Sequence, residues 1–342
     1  MALPPVAKEA ICDAVERQAE CISIPMQHML NLNPLLGKIK GRRTICKTPM
    51  LYRAMCRHIG TIDEWDINNE YVHDTAQKGN SAQLAALLRN LEAEIAIVLD
   101  FATGGFFFDY EKLFDHLDIS LLLASCIKLQ LPPRDIFLVV LQHTVPRALQ
   151  CAGFTSIPRP IVRSISAGCR YSKVLTKVYL AEGMHTLAHK HRRVSLKTYF
   201  DDTTAIARGS HTEVHENLMD CVVDFRKLVQ RLKLKISPKS TIVTSSAKLT
   251  KAICDELNGL GWQIRADRFT RDLGITFGAG VRKTENNLGS EIIIQKLVET
   301  KFIKYLRYPE WQGSYSKVLH MHRPHGVTKG PAAQNTCCWN SK

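Results

Sequence analysis

The stretch VSLKTYFDDTTAIA, residues 194–207, sets an adjacent pair of acids, Asp201 and Asp202, between two strand-prone arms. The segment predicts a hairpin with the acids at its tip. Acids at a turn are often no more than good turn residues. A third carboxylate raises this pair above that level. Phe106-Phe107-Phe108 is a short aromatic run that ends in Asp109. It predicts a buried strand following a break at Thr103–Gly105. Two buried strands that both end in acids repel one another unless a cation sits between them. Three such carboxylates can hold two Mg²⁺ ions (or Mn²⁺) roughly 4 Å apart, and an all-oxygen ligand set suits phosphate chemistry.

The rest of the chain sets the context. It has 342 residues, with 46 Lys+Arg against 32 Asp+Glu for a net charge of +14, and is 45% hydrophobic. That composition is globular and points to a polyanionic partner. Between Cys21 and Ile62 there is no acid, while Lys38, Lys40, Arg42, Arg43, Lys47, Arg53 and Arg57 form a basic stripe suited to phosphates. Helices are predicted over 80–98, Ile119–Leu131, Arg134–Cys151, Ala247–Leu257 and Glu291–Leu306. Another begins at the Ser210/Glu213 capping box and runs through Leu232. A strand is expected over Ile236–Val243 and a hairpin around Leu273–Phe277. The order of elements indicates an α+β domain with a small antiparallel sheet packed on helices. Eleven scattered cysteines without a CxxC pair favour reduced thiols in the nucleus or cytoplasm. The N-terminus lacks a signal-peptide pattern, and apolar runs are too short to span a bilayer.

Five segments, taken in order, resemble the palm motifs of reverse transcriptases of the retroelement kind found in protist genomes. Asp109-Tyr110-Glu111-Lys112-Leu113-Phe114-Asp115 is similar to the first motif, often D-x-x-K-A-F-D. Gly168-Cys169-Arg170-Tyr171-Ser172 resembles the second, commonly QGCPLS, with Ala167 where glutamine is usual and Arg170 in place of proline. Tyr199–Asp202 matches the third, Y-x-D-D. Leu234–Ser240 is similar to the fourth, and Leu273-Gly274 to the LG pair of the primer-grip hairpin. Upstream, Gly41–Ile45 and Lys78–Ser81 resemble finger elements. The likeness covers about residues 30–282.

The resemblance implies a right-hand polymerase. An N-terminal helix or extension would occupy 1–30. Fingers would span 31–104 and part of 116–165, and palm 105–115 and 166–282. A short or truncated helical thumb and an unstructured tail would fill 283–342. It implies an RNA template, a DNA or RNA primer and dNTPs as partners, and an RNA-directed DNA polymerase activity; a repurposed RNA-binding palm is the alternative. Asp109, Asp201 and Asp202 would be the metal ligands, helped by the Tyr110 carbonyl. Phe114 would be the steric gate against a ribose 2′-OH. Gly168 would let the backbone approach the template–nucleotide pair, with Ser172 supporting that turn. Lys239 would face pyrophosphate or else be a solvated lysine. Arg43, Arg53 and Lys40 are equal candidates for clamping the triphosphate. Leu273 and Gly274 would form the primer grip. The His185, His189 and His191 group has cationic neighbours and no cysteine at ligand spacing, so it is expected to be a solvated or nucleic-acid-facing edge. The histidines and cysteines of the tail (His320, His322, His325, Cys337, Cys338) are left without a role.

Overall fold

The structure is a computed structural model. The chain divides into two units, Met1–Arg282 and Lys283–Lys342. Residues 4–37 and 42–280 are described, all within the first; the side chains of Gln27, Arg42 and Arg43 lie outside the described set, as do the expected helix Glu291–Leu306 and the tail. In chain order the elements are α1 (Pro5–Glu20), β1 (Asn31–Gly37), β2 (Arg42–Thr44), α2 (Met50–His58), α3 (Thr61–Asn68), α4 (Ala82–Val98) and β3 (Ala102–Phe108). There follow α5 (Leu113–His116), α6 (Ile119–Lys128), α7 (Pro133–Thr144), β4 (Arg147–Cys151), β5 (Phe154–Thr155), α8 (Ser172–Lys190), β6 (Val194–Tyr199) and β7 (Asp202–Gly209). The described part closes with α9 (His211–Arg231), β8 (Thr241–Thr244), α10 (Ala247–Gly259), β9 (Arg265–Ala266), β10 (Thr270–Asp272) and β11 (Ile275–Phe277). The architecture is α+β. Among the described residues no helix is long and apolar enough to cross a membrane.

The central sheet has the order β6-β7-β3-β8-β9, antiparallel except for the parallel β8–β9 pair. β3 is buried along its whole length because both of its faces are covered. The pleat sends Phe106 and Phe108 to one face with Ala205, Ala207 and Ile242, where Phe108 packs on Phe225 of α9 with ring centroids 4.1 Å apart. It sends Phe107 to the other with Ile206 and Val243, against Ala93 of α4 and Phe277. Adjacent aromatics therefore serve two cores. The capping box that starts α9 is complete: the Ser210 hydroxyl accepts from the Glu213 N–H, and the Glu213 carboxylate accepts from the Ser210 N–H.

Three expectations need correction, and one element is new. Thr103–Gly105 is not a break but the middle of β3. The glycine pair thins the strand: a Cβ on Gly104 would lie 2.9 Å from Val214 Cγ1 and 3.0 Å from Leu218 Cδ1, both on α9. The helix expected over Arg134–Cys151 stops at Thr144, because Pro146 cannot continue it. Arg147–Cys151 becomes β4, pairing parallel with β1 in a second sheet of order β2-β1-β4-β5. The strand expected over Ile236–Val243 begins only at Thr241, while Ile236 makes a single bridge to Tyr110. Finally, α8 is a 19-residue helix with no counterpart in the sequence analysis. It is buried on several sides (Val174, Leu175, Val178, Tyr179, Leu180, Met184), so its residues show no single apolar stripe.

Candidate active site

The β6–β7 hairpin is closed by the pair Tyr199↔Asp202, leaving Phe200 and Asp201 as its two turn residues. Phe200 has φ 55°, an unfavourable conformation for a bulky side chain, and its ring carries the Lys173 ammonium 4.4 Å from the centroid. On the other flank of β7, Phe108 pairs with Thr203. One residue further in each direction lie Asp109 and Asp202, so the register carries the end of β3 to the hairpin tip. The two acids of the hairpin tip and the acid that follows β3, 92 positions before the first of them in the chain, meet at one corner of the sheet.

Electrostatics records that meeting. Asp202 keeps solvent access, yet the protein atoms crowding it, followed by Asp201, Asp109 and Asp272, push its carboxyl up to about 6, with Arg89 opposing. The donor set is all oxygen and suits magnesium. In the arrangement seen, however, the described residues include no group of three or more acids, histidines or cysteines poised as a metal cage. The acids are neighbours without forming a closed ligand set.

The segment 235–240 straps the end of β3. The Ser237 N–H donates to the Asp109 carbonyl at 2.7 Å, the Asp109 N–H donates to Ser240 Oγ at 3.1 Å, and the Glu111 N–H donates to the Lys235 carbonyl at 2.9 Å. These bonds across the Tyr110–Ile236 bridge do not use the Tyr110 carbonyl. The Tyr110 ring is buried with its hydroxyl 3.2 Å from Thr203 Oγ1, and burial raises that phenol. Lys239 rides on the strap with an exposed side chain. Phe114, in α5, is half-buried against the main core, and its carbonyl accepts from Ile165 N at 2.9 Å.

Gly168 has φ 106°, and a Cβ there would lie 3.1 Å from the Cys46 carbonyl oxygen. Its neighbour is protein backbone: the Ala167 carbonyl accepts from Cys46 N at 2.9 Å. The glycine is thus needed for a positive-φ turn and for the close approach of the segment after β2. The buried Ser172 hydroxyl donates to the Ser166 carbonyl at 2.6 Å and holds that turn closed. Arg170, in the place of the usual proline, pairs with Asp63 of α3 at 2.7 Å. Arg53 is exposed on α2. Arg43 lies in β2 with its side chain outside the described set, and Lys40 lies outside the described residues altogether. Leu273 (φ 47°) and Gly274 (φ 93°) make the two-residue turn between β10 and β11, closed by Asp272↔Ile275.

On the histidine edge His185 and His189 are exposed and His191 is half-buried. His191 Nε2 lies 3.0 Å from an Asp224 carboxylate oxygen, while His185 and His189 stack edge to face. Lys190, at 2.5 Å, leads the partners, with Lys227 and His191, that hold the Asp224 carboxyl well below the usual carboxylate range. Sequence reasoning also missed Arg89 and Asp272, a buried ion pair beside the acids. The available signal was Arg89 itself, spaced four residues from Ala85 and from Ala93 on the buried face of α4, where a charge requires a partner.

No protein-family model matches the sequence, and a search of curated proteins finds no match. Among solved structures, the chain is similar to an apo telomerase from Candida tropicalis truncated from its C-terminal domain, at 11% identity and a TM-score of 0.46. The match covers 68% of this chain and 54% of that one, so the chain spans about half the length of that protein.

Proposed function

We propose that the chain is the fingers and palm of an RNA-directed DNA polymerase of retroelement type, extending a primer 3′-hydroxyl with dNTPs on an RNA template. The observation that carries this is the strand register: pairing of Phe108 with Thr203 and of Tyr199 with Asp202 sets Asp109, Asp201 and Asp202 at one corner of the sheet. In this proposal those three carboxylates would hold magnesium, which when bound supplies charge neutralisation of the phosphates and an acidified 3′-hydroxyl. The chain's own part is placement. Phe114 would stand against the sugar, Lys239 would lie on the leaving side, and exposed basic residues such as Arg53 would meet the triphosphate. The β10–β11 turn would face the primer.

A second function has two observations in its favour. The acids do not form a closed metal cage, and Ala167 replaces the glutamine expected to help hold the nucleotide. A repurposed palm that binds RNA through basic surface fits those facts. Primer extension on poly(rA)/oligo(dT) with magnesium decides between them. Wild type should extend, and Asp109→Asn and Asp201→Asn should fall to background. Silence from the wild type, or mutants that match it, would overturn the polymerase; salt-sensitive RNA binding that survives both substitutions would then favour the alternative.

A further inference from the structure

On the sheet face away from α9, α4 buries Ala85, Ala86, Arg89, Ala93, Ile95 and Ala96, an apolar set interrupted by one charge. Arg89 is 4% exposed and Asp272 3%. They meet through two parallel bonds, Arg89 Nε donating to Asp272 Oδ2 at 2.7 Å and Arg89 Nη2 to Oδ1 at 2.9 Å. An apolar pair would join α4 to the hairpin about as firmly. What the guanidinium adds is a fork, which fixes the plane and direction of the carboxylate. Asp272 is also the residue that closes the β10–β11 turn opposite Ile275. On its other side the pair lies within electrostatic range of Asp202 at the β6–β7 tip. One buried fork therefore joins a helix to the Leu273-Gly274 turn. Packing of Ala93 of α4 and Phe277 of β11 with Phe107 of β3 and Ile206 of β7 seats both on the acid-bearing strands, and the fork fixes the turn on that platform.

We propose that Arg89 and Asp272 are positioning residues that set the β10–β11 turn relative to the acid-bearing hairpin, and so govern how tightly a primer terminus is held, without acting on nucleotide capture. This rests on the polymerase proposed above. The test uses the full chain and a fluorescein-labelled DNA primer annealed to an RNA template. Affinity is read by anisotropy without nucleotide, and extension kinetics are read with dNTP and primer–template varied separately. Arg89→Lys keeps the charge and loses the fork. Arg89→Gln with Asp272→Asn removes both charges and keeps a hydrogen-bonding pair, guarding against a variant that fails to fold for want of a counter-charge; circular dichroism confirms each fold. Both variants should weaken primer–template binding about tenfold or more, with the dNTP KM within about twofold of wild type. Unchanged primer affinity in the folded variants, or an equal loss in primer and nucleotide constants, would overturn the proposal. A wild type that binds primer–template but extends nothing would refute the polymerase, while the affinity ratio would still judge the positioning role. A wild type that binds no primer–template would refute the positioning role outright.

Discussion

Replacing Asp202 by Asn should stabilise the metal-free protein near neutral pH. In the unfolded chain this carboxyl titrates at its ordinary 3.8, and in the folded chain at about 6. Between those values the folded state holds a proton that the unfolded state has released, so stability falls as pH rises through the window and stays reduced above it. The full difference corresponds to about 3 kcal/mol. Because the side chain keeps solvent access, screening reduces it to about 1 kcal/mol, or roughly 2–3 °C in Tm for a chain of this size. The described structure gives the carboxylate no hydrogen bond that Asn would lose. Urea unfolding in EDTA should show Asp202→Asn more stable than wild type at about pH 7.5 and equal to it at about pH 4. Magnesium should stabilise wild type more than the variant, since binding to the folded state alone raises stability by mass action. A variant less stable than wild type at neutral pH, or a gain independent of pH, would refute the idea that three neighbouring acids strain this corner.

Phe114→Ala should relax the preference for dNTP over rNTP by about tenfold or more in steady-state extension, and an unchanged ratio would remove Phe114 from sugar selection. His73 is buried and neutral: burial lowers it to about 4, against the partial support of Asp74. The stability this neutral ring supports is present above its unfolded value near 6.5 and is lost as pH falls toward 4, by about 3 kcal/mol in all. His73→Leu should therefore flatten the acid limb of the stability profile measured by urea midpoints, and a variant as acid-sensitive as wild type would contradict the assignment.

Local chemistry made much of the scaffold legible. The β6–β7 hairpin, the capped α9, α4 and the β10–β11 turn follow from alternation, capping residues and turn residues acting within a few positions of one another, and such interactions are written in adjacent letters. The glycines of β3 misled because their cause is remote: Val214 and Leu218, more than a hundred residues later, need the space that a side chain would take. β4 was hidden in the same way, since a strand depends on its partner and β1 lies more than a hundred residues earlier in the chain. α8 left no amphipathic trace because neighbours cover it on several sides.

At the candidate site the division is similar. The sequence by itself determined that three carboxylates end or turn strands, that a strongly basic chain surrounds them, and that a two-residue turn follows at Leu273-Gly274. Only the tertiary structure decided that Asp109 stands beside Asp202, that Gly168 answers to the Cys46 backbone, and that Arg89 finds Asp272 across 183 positions of chain. The physical reason is range. Propensity, capping and turn geometry act over a few residues, whereas strand register, close approach and the pairing of a buried charge are set by whichever segment folding brings alongside.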